Sequence, residues 1–219
     1  MRESVTTSRS VQVAAGSVRL DGDLVVPEGA RGVVLFAHGS GSGRHSPRNR
    51  YVARVLQERS LGTLLIDLLT LREEREDALT GHLRFDIPLL AERLVGATDW
   101  LLAEPQTADL KVGYFGASTG GGAALVAAAE RPEAVAAVVS RGGRPDLAGP
   151  ALPRVKAPTL LIVGGNDGAV IQMNRAASEQ IRAVKKLEIV PGASHLFEEP
   201  GTLEEVARLA ADWFGKYLS

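Results

Sequence analysis

Cysteine is absent from the chain. That excludes disulfides, thiolate metal sites and a cysteine nucleophile, and it agrees with a reducing cytoplasm. Excess charge is lacking too: a formal net charge of −1 supplies no field to recruit nucleic acid or an anionic membrane, so any electrostatic preference must be local. No apolar run approaches the length of a membrane span, and MRESVTTSRS has no apolar centre of the kind a signal peptide carries. These absences predict a soluble cytoplasmic protein with no nucleic-acid or membrane partner. What is present is a chain of 219 residues, 45% of them hydrophobic. It is long enough to bury one substantial core and is most simply a single domain over residues 1–219.

The most informative stretch is Lys111 to Ala129, KVGYFGASTGGGAALVAAA. Val112 to Phe115 reads as a buried strand and Ala123 to Ala129 as a buried helix. Ser118 stands at the junction, in the pattern G-x-S-x-G. A turn this tight strains the serine backbone, and glycines at 116 and 120 remove side chains that would collide there. The hydroxyl is then exposed above the first turn of a helix. Free N–H groups and the helix dipole there favour the negative charge of an attacking serine and its tetrahedral intermediate. The competing reading is a glycine-rich turn that binds phosphate or merely packs closely, as in dinucleotide folds.

Along the rest of the chain, residues 1–10 are polar and read as loose. Val11 to Ala14 and Val18 to Val26 read as an antiparallel hairpin. Gly32 to Ala37 is a continuous apolar run of the kind buried on both faces of a parallel sheet. It ends in His38-Gly39-Ser40-Gly41-Ser42-Gly43, a loop suited to supply a backbone N–H, that of Ser40, to an oxyanion whose second donor is the amide of Thr119. His38 precedes that turn and reads as a hydrogen-bonded structural histidine. Arg44, His45, Arg48 and Arg50 crowd the next segment before a helix that Pro47 helps to start. This basic segment, Arg44 foremost, is a candidate for attracting a carboxylate or phosphate on the substrate, as are Arg141 and Arg144 further on, the alternative being a solvated basic surface.

Thr63 to Ile66 reads as a further strand, LREEREDALTGHLRFD as a solvated charged excursion, and Pro88 as the opening of a long amphipathic helix. Strands follow at Ala134 to Val139 and Thr159 to Val163, with too few residues between them for a folded lid. Gly164-Gly165-Asn166-Asp167-Gly168 comes next, and a carboxylate here reaches a histidine ring and fixes its tautomer. Asp146 is the competing carboxylate. A helix over 173–183 and a last strand at Leu187 to Val190 lead to His195, the one histidine after Ser118 in the chain. The order serine, acid, histidine is therefore complete. Thr202 to Leu218 reads as a terminal helix capped by Thr202 with Glu205, a capping box.

Four motifs together, HGSGS at 38–42, GASTG at 116–120, GGND at 164–167 and GASH at 192–195, resemble the α/β hydrolase superfamily and, within it, the small lidless dienelactone-hydrolase-like group. The resemblance covers nearly the whole chain. It implies an α/β fold: a mostly parallel eight-stranded sheet with an antiparallel N-terminal hairpin, helices on both faces and no cap domain. Two departures stand out. Dienelactone hydrolases proper use a cysteine nucleophile where this chain has Ser118, and family members often carry a larger residue followed by proline after the acid, where Gly168 and Ala169 stand here.

The expected activity is hydrolysis of carboxylic esters, with Ser118 as nucleophile, His195 as base and Asp167 as its orienting acid. Ser40 and Thr119 supply the oxyanion amides, a small-molecule ester is the partner, and no cofactor or metal is required. The same constellation serves acyl transfer, amide hydrolysis, lyase chemistry and perhydrolysis on related scaffolds. A non-catalytic small-molecule binding protein is the rival from another class.

Overall fold

The computed structural model describes residues 7–219. Its first two strands, β1 (Thr7–Ala15) and β2 (Val18–Val26), form the antiparallel hairpin. Ser8 to Ser10 are thus not loose. Their backbone groups pair across the hairpin, and a polar side chain on an outer strand does not interfere with that ladder. The remainder of that N-terminal expectation, residues 1–6, lies outside the described residues.

Six further strands follow: β3 (Gly32–Ala37), β4 (Gly62–Ile66), β5 (Lys111–Ala117), β6 (Val135–Arg141), β7 (Thr159–Gly164) and β8 (Lys185–Val190). All eight join in one sheet of order β1-β2-β4-β3-β5-β6-β7-β8. β2 meets β4 antiparallel, and every pairing beyond it is parallel.

The pleat explains why the central runs show no polar alternation. Val33, Leu35, Val112 and Tyr114 enter one core, with Leu90 and Leu94 of α3 (Ile87–Ala103) and Leu125 and Ala128 of α4 (Thr119–Glu130). Val34, Phe36, Phe115 and Val139 enter a second core on the opposite face. There they meet Val52 and Leu56 of α1 (Pro47–Glu58) and Val206 and Phe214 of α6 (Thr202–Tyr217). Each large apolar side chain fully buried this way contributes roughly 1.5–3 kcal/mol, and neither face of the strands can be polar.

Three local expectations are corrected. The charged excursion is in fact a helix, α2 (Leu71–Thr80), and its N-terminus carries a capping box in which Thr70 and Glu73 satisfy each other's backbone N–H. A 3-10 turn at Leu83–Phe85 follows, organised by buried Asp77, which accepts from the amides of Leu83 and Arg84. At α6 no capping box forms. Thr202 is the first helical residue, its hydroxyl donates to the Glu199 carbonyl, and Glu205 is taken by Arg208. α5 (Gly168–Gln180) starts immediately after Asp167, five residues before the expected position. The link between β6 and β7 is a kinked 3-10 segment, Pro145–Arg154, packed on α4. Among the described residues no helix is long and apolar enough to cross a membrane.

Candidate active site

β3 and β5 are neighbours in the sheet although the chain visits β4 between them. In open α/β sheets ligands bind beyond the carboxyl ends of strands at such a change of order. Ser118 leaves β5 there with φ 50° and ψ −121°, a conformation that costs an L-residue about 1–3 kcal/mol and persists only where its surroundings hold it. Its carbonyl accepts from the amides of Gly121 and Arg144, each at 3.0 Å, and its own amide donates to the Arg141 carbonyl at 3.3 Å. The glycines flanking the turn are obligatory: a Cβ at position 116 would lie 2.6 Å from the Gly120 carbonyl, and one at 120 would overlap the Ala37 carbonyl.

Asp167 and His195 come from the loops after β7 and β8, which are tied together by backbone. The Gly165 amide donates to Val190 at 2.8 Å and the Asn166 amide to Ala193 at 2.9 Å. The Asn166 side chain adds a bond to the Gly192 carbonyl at 2.9 Å. These loops bring His195 Nδ1 to 2.6 Å from Asp167 Oδ2. A carboxylate only accepts, so Nδ1 carries the proton and Nε2 is left with a free lone pair. Ser118 and His195 line the same cleft, a cavity of about 210 Å³, without a hydrogen bond between their side chains among the described residues.

The loop after β3 packs directly on the serine, such that a Cβ on Gly39 would sit 3.1 Å from Ser118 Cβ. It brings Ser40 and Thr119 together, and the Ser40 amide donates to Thr119 Oγ1 at 3.0 Å. This loop also borders a second cavity of about 230 Å³, lined in addition by Thr119, Leu69, Leu90, Asp77 and Arg84. His38 is buried and structural: Nε2 accepts from the Leu68 amide and Nδ1 donates to the Gly39 carbonyl, both at 2.9 Å. Burial holds its pKa below the ordinary value, against the opposing pull of the Gly39 carbonyl and of Asp67.

The three candidate arginines separate. Arg44 is held by Asp67, with Asp21 and Asp23 also within ion-pair distance, so its charge is already matched. Arg144 chelates Asp146 at 2.7–3.2 Å, which also removes Asp146 as a rival to Asp167. Arg141 alone of the three lines the Ser118 cleft, and it is joined there by Ser46, Arg48 and Asn49. Ser46 and Asn49 are cleft residues that the sequence reading did not single out, whereas Arg48 belongs to the basic segment it weighed for anion binding. The signal available was Ser46-Pro47, a helix cap followed by an N-terminal proline, which aims the first turn of α1 at whatever lies beyond β3.

This sheet, with a strained serine after β5 and a histidine–carboxylate pair after β7 and β8, defines an α/β hydrolase. The model of the dienelactone hydrolase family matches residues 71–218, and the chain belongs to that family, in agreement with the resemblance carried by its four motifs. A dienelactone hydrolase from Anabaena variabilis, known from its crystal structure, is 69% identical, with a TM-score of 0.96 covering 98% of this chain and 99% of that one. The esterase domain of a Rhodothermus marinus protein shares the fold at 21% identity, with a TM-score of 0.76 over 97% of this chain and all of that one, 100%. Two curated Mycobacterium tuberculosis proteins with the provisional name phosphoribosyl transferase are each 62% identical over 208 residues, 95% of this chain. The chain spans 46% of the length of those relatives. Family and fold together support hydrolase chemistry for this chain.

Proposed function

We propose that the protein hydrolyses carboxylic esters through Ser118, His195 and Asp167. The observation that carries this reading is the 2.6 Å contact of His195 Nδ1 with Asp167, in the cleft that also holds Ser118 at its strained turn. His195 Nε2 takes the Ser118 proton as Oγ attacks the ester carbonyl carbon. Asp167 keeps the ring in the required tautomer and stabilises the imidazolium. The tetrahedral oxyanion is held by the amides of Thr119 and Ser40, the latter exchanging Thr119 Oγ1 for the substrate oxygen as the carbonyl enters. Collapse expels the alcohol, which receives the proton from His195. Water then attacks the acyl-enzyme, giving its proton to His195, and the acid departs as Ser118 regains a proton. A serine and base not yet bonded in the free enzyme accord with this chemistry, since such contacts tighten once substrate is bound.

A fluorophosphonate probe, followed by peptide mapping of the adduct, tests the assignment. Labelling confined to Ser118, and lost in His195→Gln, is the expected result; labelling elsewhere or none at all refutes it. Turnover of short activated esters separates an enzyme from a binding protein on the same scaffold, because a binder keeps its ligand affinity in Ser118→Ala and turns nothing over.

A further inference from the structure

The cleft beside Ser118 runs to the N-terminus of α1. Ser46 caps this helix, accepting from the Asn49 amide at 3.4 Å, Pro47 occupies the first turn, and that turn contains no acidic residue. A helix of 12 residues presents partial positive charge at this end, with the Arg48 amide as the N–H left over in the first turn, since Pro47 has none and those of Asn49 and Arg50 bond Ser46. From the end of β6 comes Arg141, 6% exposed. Its Nη2 donates to Asn49 Oδ1 at 3.3 Å, its guanidinium lies 5.8 Å from the centre of the Phe197 ring, and its Nε has no partner. Among the described residues it has no ion-pair partner. Arg48 also lines the cleft, its Nε equally unpartnered, and its only ion pair among those residues is with the exposed Glu198 at 3.4 Å. Burial and the neighbouring Arg48 push the Arg141 pKa down to about 10, as expected for two cations placed together without a matching anion.

A buried guanidinium without a counter-charge destabilises the fold unless something else supplies one. We propose that this end of the cleft binds a phosphate group carried on one arm of the ester, so that Arg141, Arg48 and the first turn of α1 select phosphorylated esters. A phosphate brings up to two negative charges and several acceptor oxygens, matching two guanidiniums and a helix N-terminus where a carboxylate would match only one. The inference deepens the ester-hydrolase reading and rests on it for the scissile bond, though not for the anion site itself.

Three esters with arms of equal length, ending in a methyl, a carboxylate or a phosphate, are compared by kcat/KM. Inorganic phosphate binding is measured in parallel by calorimetry on the full chain. The phosphorylated ester should exceed the other two by at least about tenfold, the equivalent of one good charged contact. That ratio should collapse towards one in Arg141→Gln and in Arg48→Gln. Arg48 is more exposed, so its variant keeps the test alive if Arg141→Gln fails to fold. A neutral or carboxylate ester turned over as well as the phosphorylated one overturns the proposal, as does phosphate affinity unchanged in the variants. Phosphate binding that depends on these arginines, without turnover of any ester, upholds the anion site and removes only the hydrolase reading. Ester turnover without phosphate preference does the reverse.

Discussion

Arg44, in the loop after β3, and Arg141, the last residue of β6, both lie at the carboxyl end of the sheet, and the protein treats them in opposite ways. Around Arg44 charge is matched: Asp67 accepts its backbone amide at 2.7 Å and pairs with its guanidinium, while Asp21 and Asp23 lie within reach. His38 on the same side is saturated by two backbone groups. Around Arg141 charge is unmatched, with one amide oxygen and an aromatic face as its neighbours and a second arginine close by. A network of matched charges holds a loop in place, here the one bearing Ser40. An unsaturated buried cation in a cleft is a place for a ligand. On the proposal made above, the β3–β4 side is scaffold and the β6–α1 side recognition surface, with Ser118 between them.

The comparison breaks first at the centre. Ser118→Ala should lower kcat/KM for a short activated ester by on the order of 10⁴-fold or more, with the unfolding midpoint little changed, because the hydroxyl makes no structural bond that the strained turn needs. A rate within tenfold of the parent would mean that neither side serves catalysis by this serine. Asp167→Asn comes next. An amide there no longer favours the Nδ1–H tautomer, and a loss of roughly 10³–10⁴-fold in kcat is expected, as found when a triad acid is replaced by its amide. Single-turnover kinetics check that the loss lies in acylation.

Much of this arrangement is legible in the sequence where one physical constraint decides. Residues 32–37 and 112–117 are apolar on both faces because helices cover both, and Gly116 and Gly120 stand where any Cβ would meet backbone. What could not be read depends on partners chosen by packing. The positive charge of Arg44 is visible in the sequence, but its match with Asp67, 23 positions away, arises only when β3 and β4 lie side by side. α2 escaped notice because Asp77 is its only buried residue, leaving hardly any apolar stripe for the helical period to reveal. Thr202 has the right spacing to Glu205 for a capping box, yet the turn before α6 offers the Glu199 carbonyl to its hydroxyl first.

Two smaller effects sharpen the scaffold half. Asp67→Ala leaves the Arg44 amide and guanidinium without their acceptor, and an unsatisfied group of this kind costs about 1–3 kcal/mol. Urea unfolding should record that loss, and hydrogen exchange should show faster opening of residues 39–46 than in the parent. An equal loss from Arg141→Gln, together with intact ester selectivity, would reverse the assignment of the two sides.

His38 gives the smallest effect and the most specific one. Its Nε2 can accept from the Leu68 amide only while unprotonated, and burial holds its folded pKa below the ordinary 6.5. A base whose folded pKa is depressed binds fewer protons folded than unfolded. Its contribution to stability is therefore complete above pH 6.5 and is lost progressively as pH falls through the window down to the folded pKa. Denaturant midpoints measured from pH 7.5 down to pH 5 should fall in the parent. In His38→Gln, whose side-chain oxygen still accepts from Leu68 without titrating, the decline should be shallower over the same range. An identical decline in both proteins would place the acid sensitivity elsewhere and leave the Ser40 loop held by Asp67 and Arg44 alone.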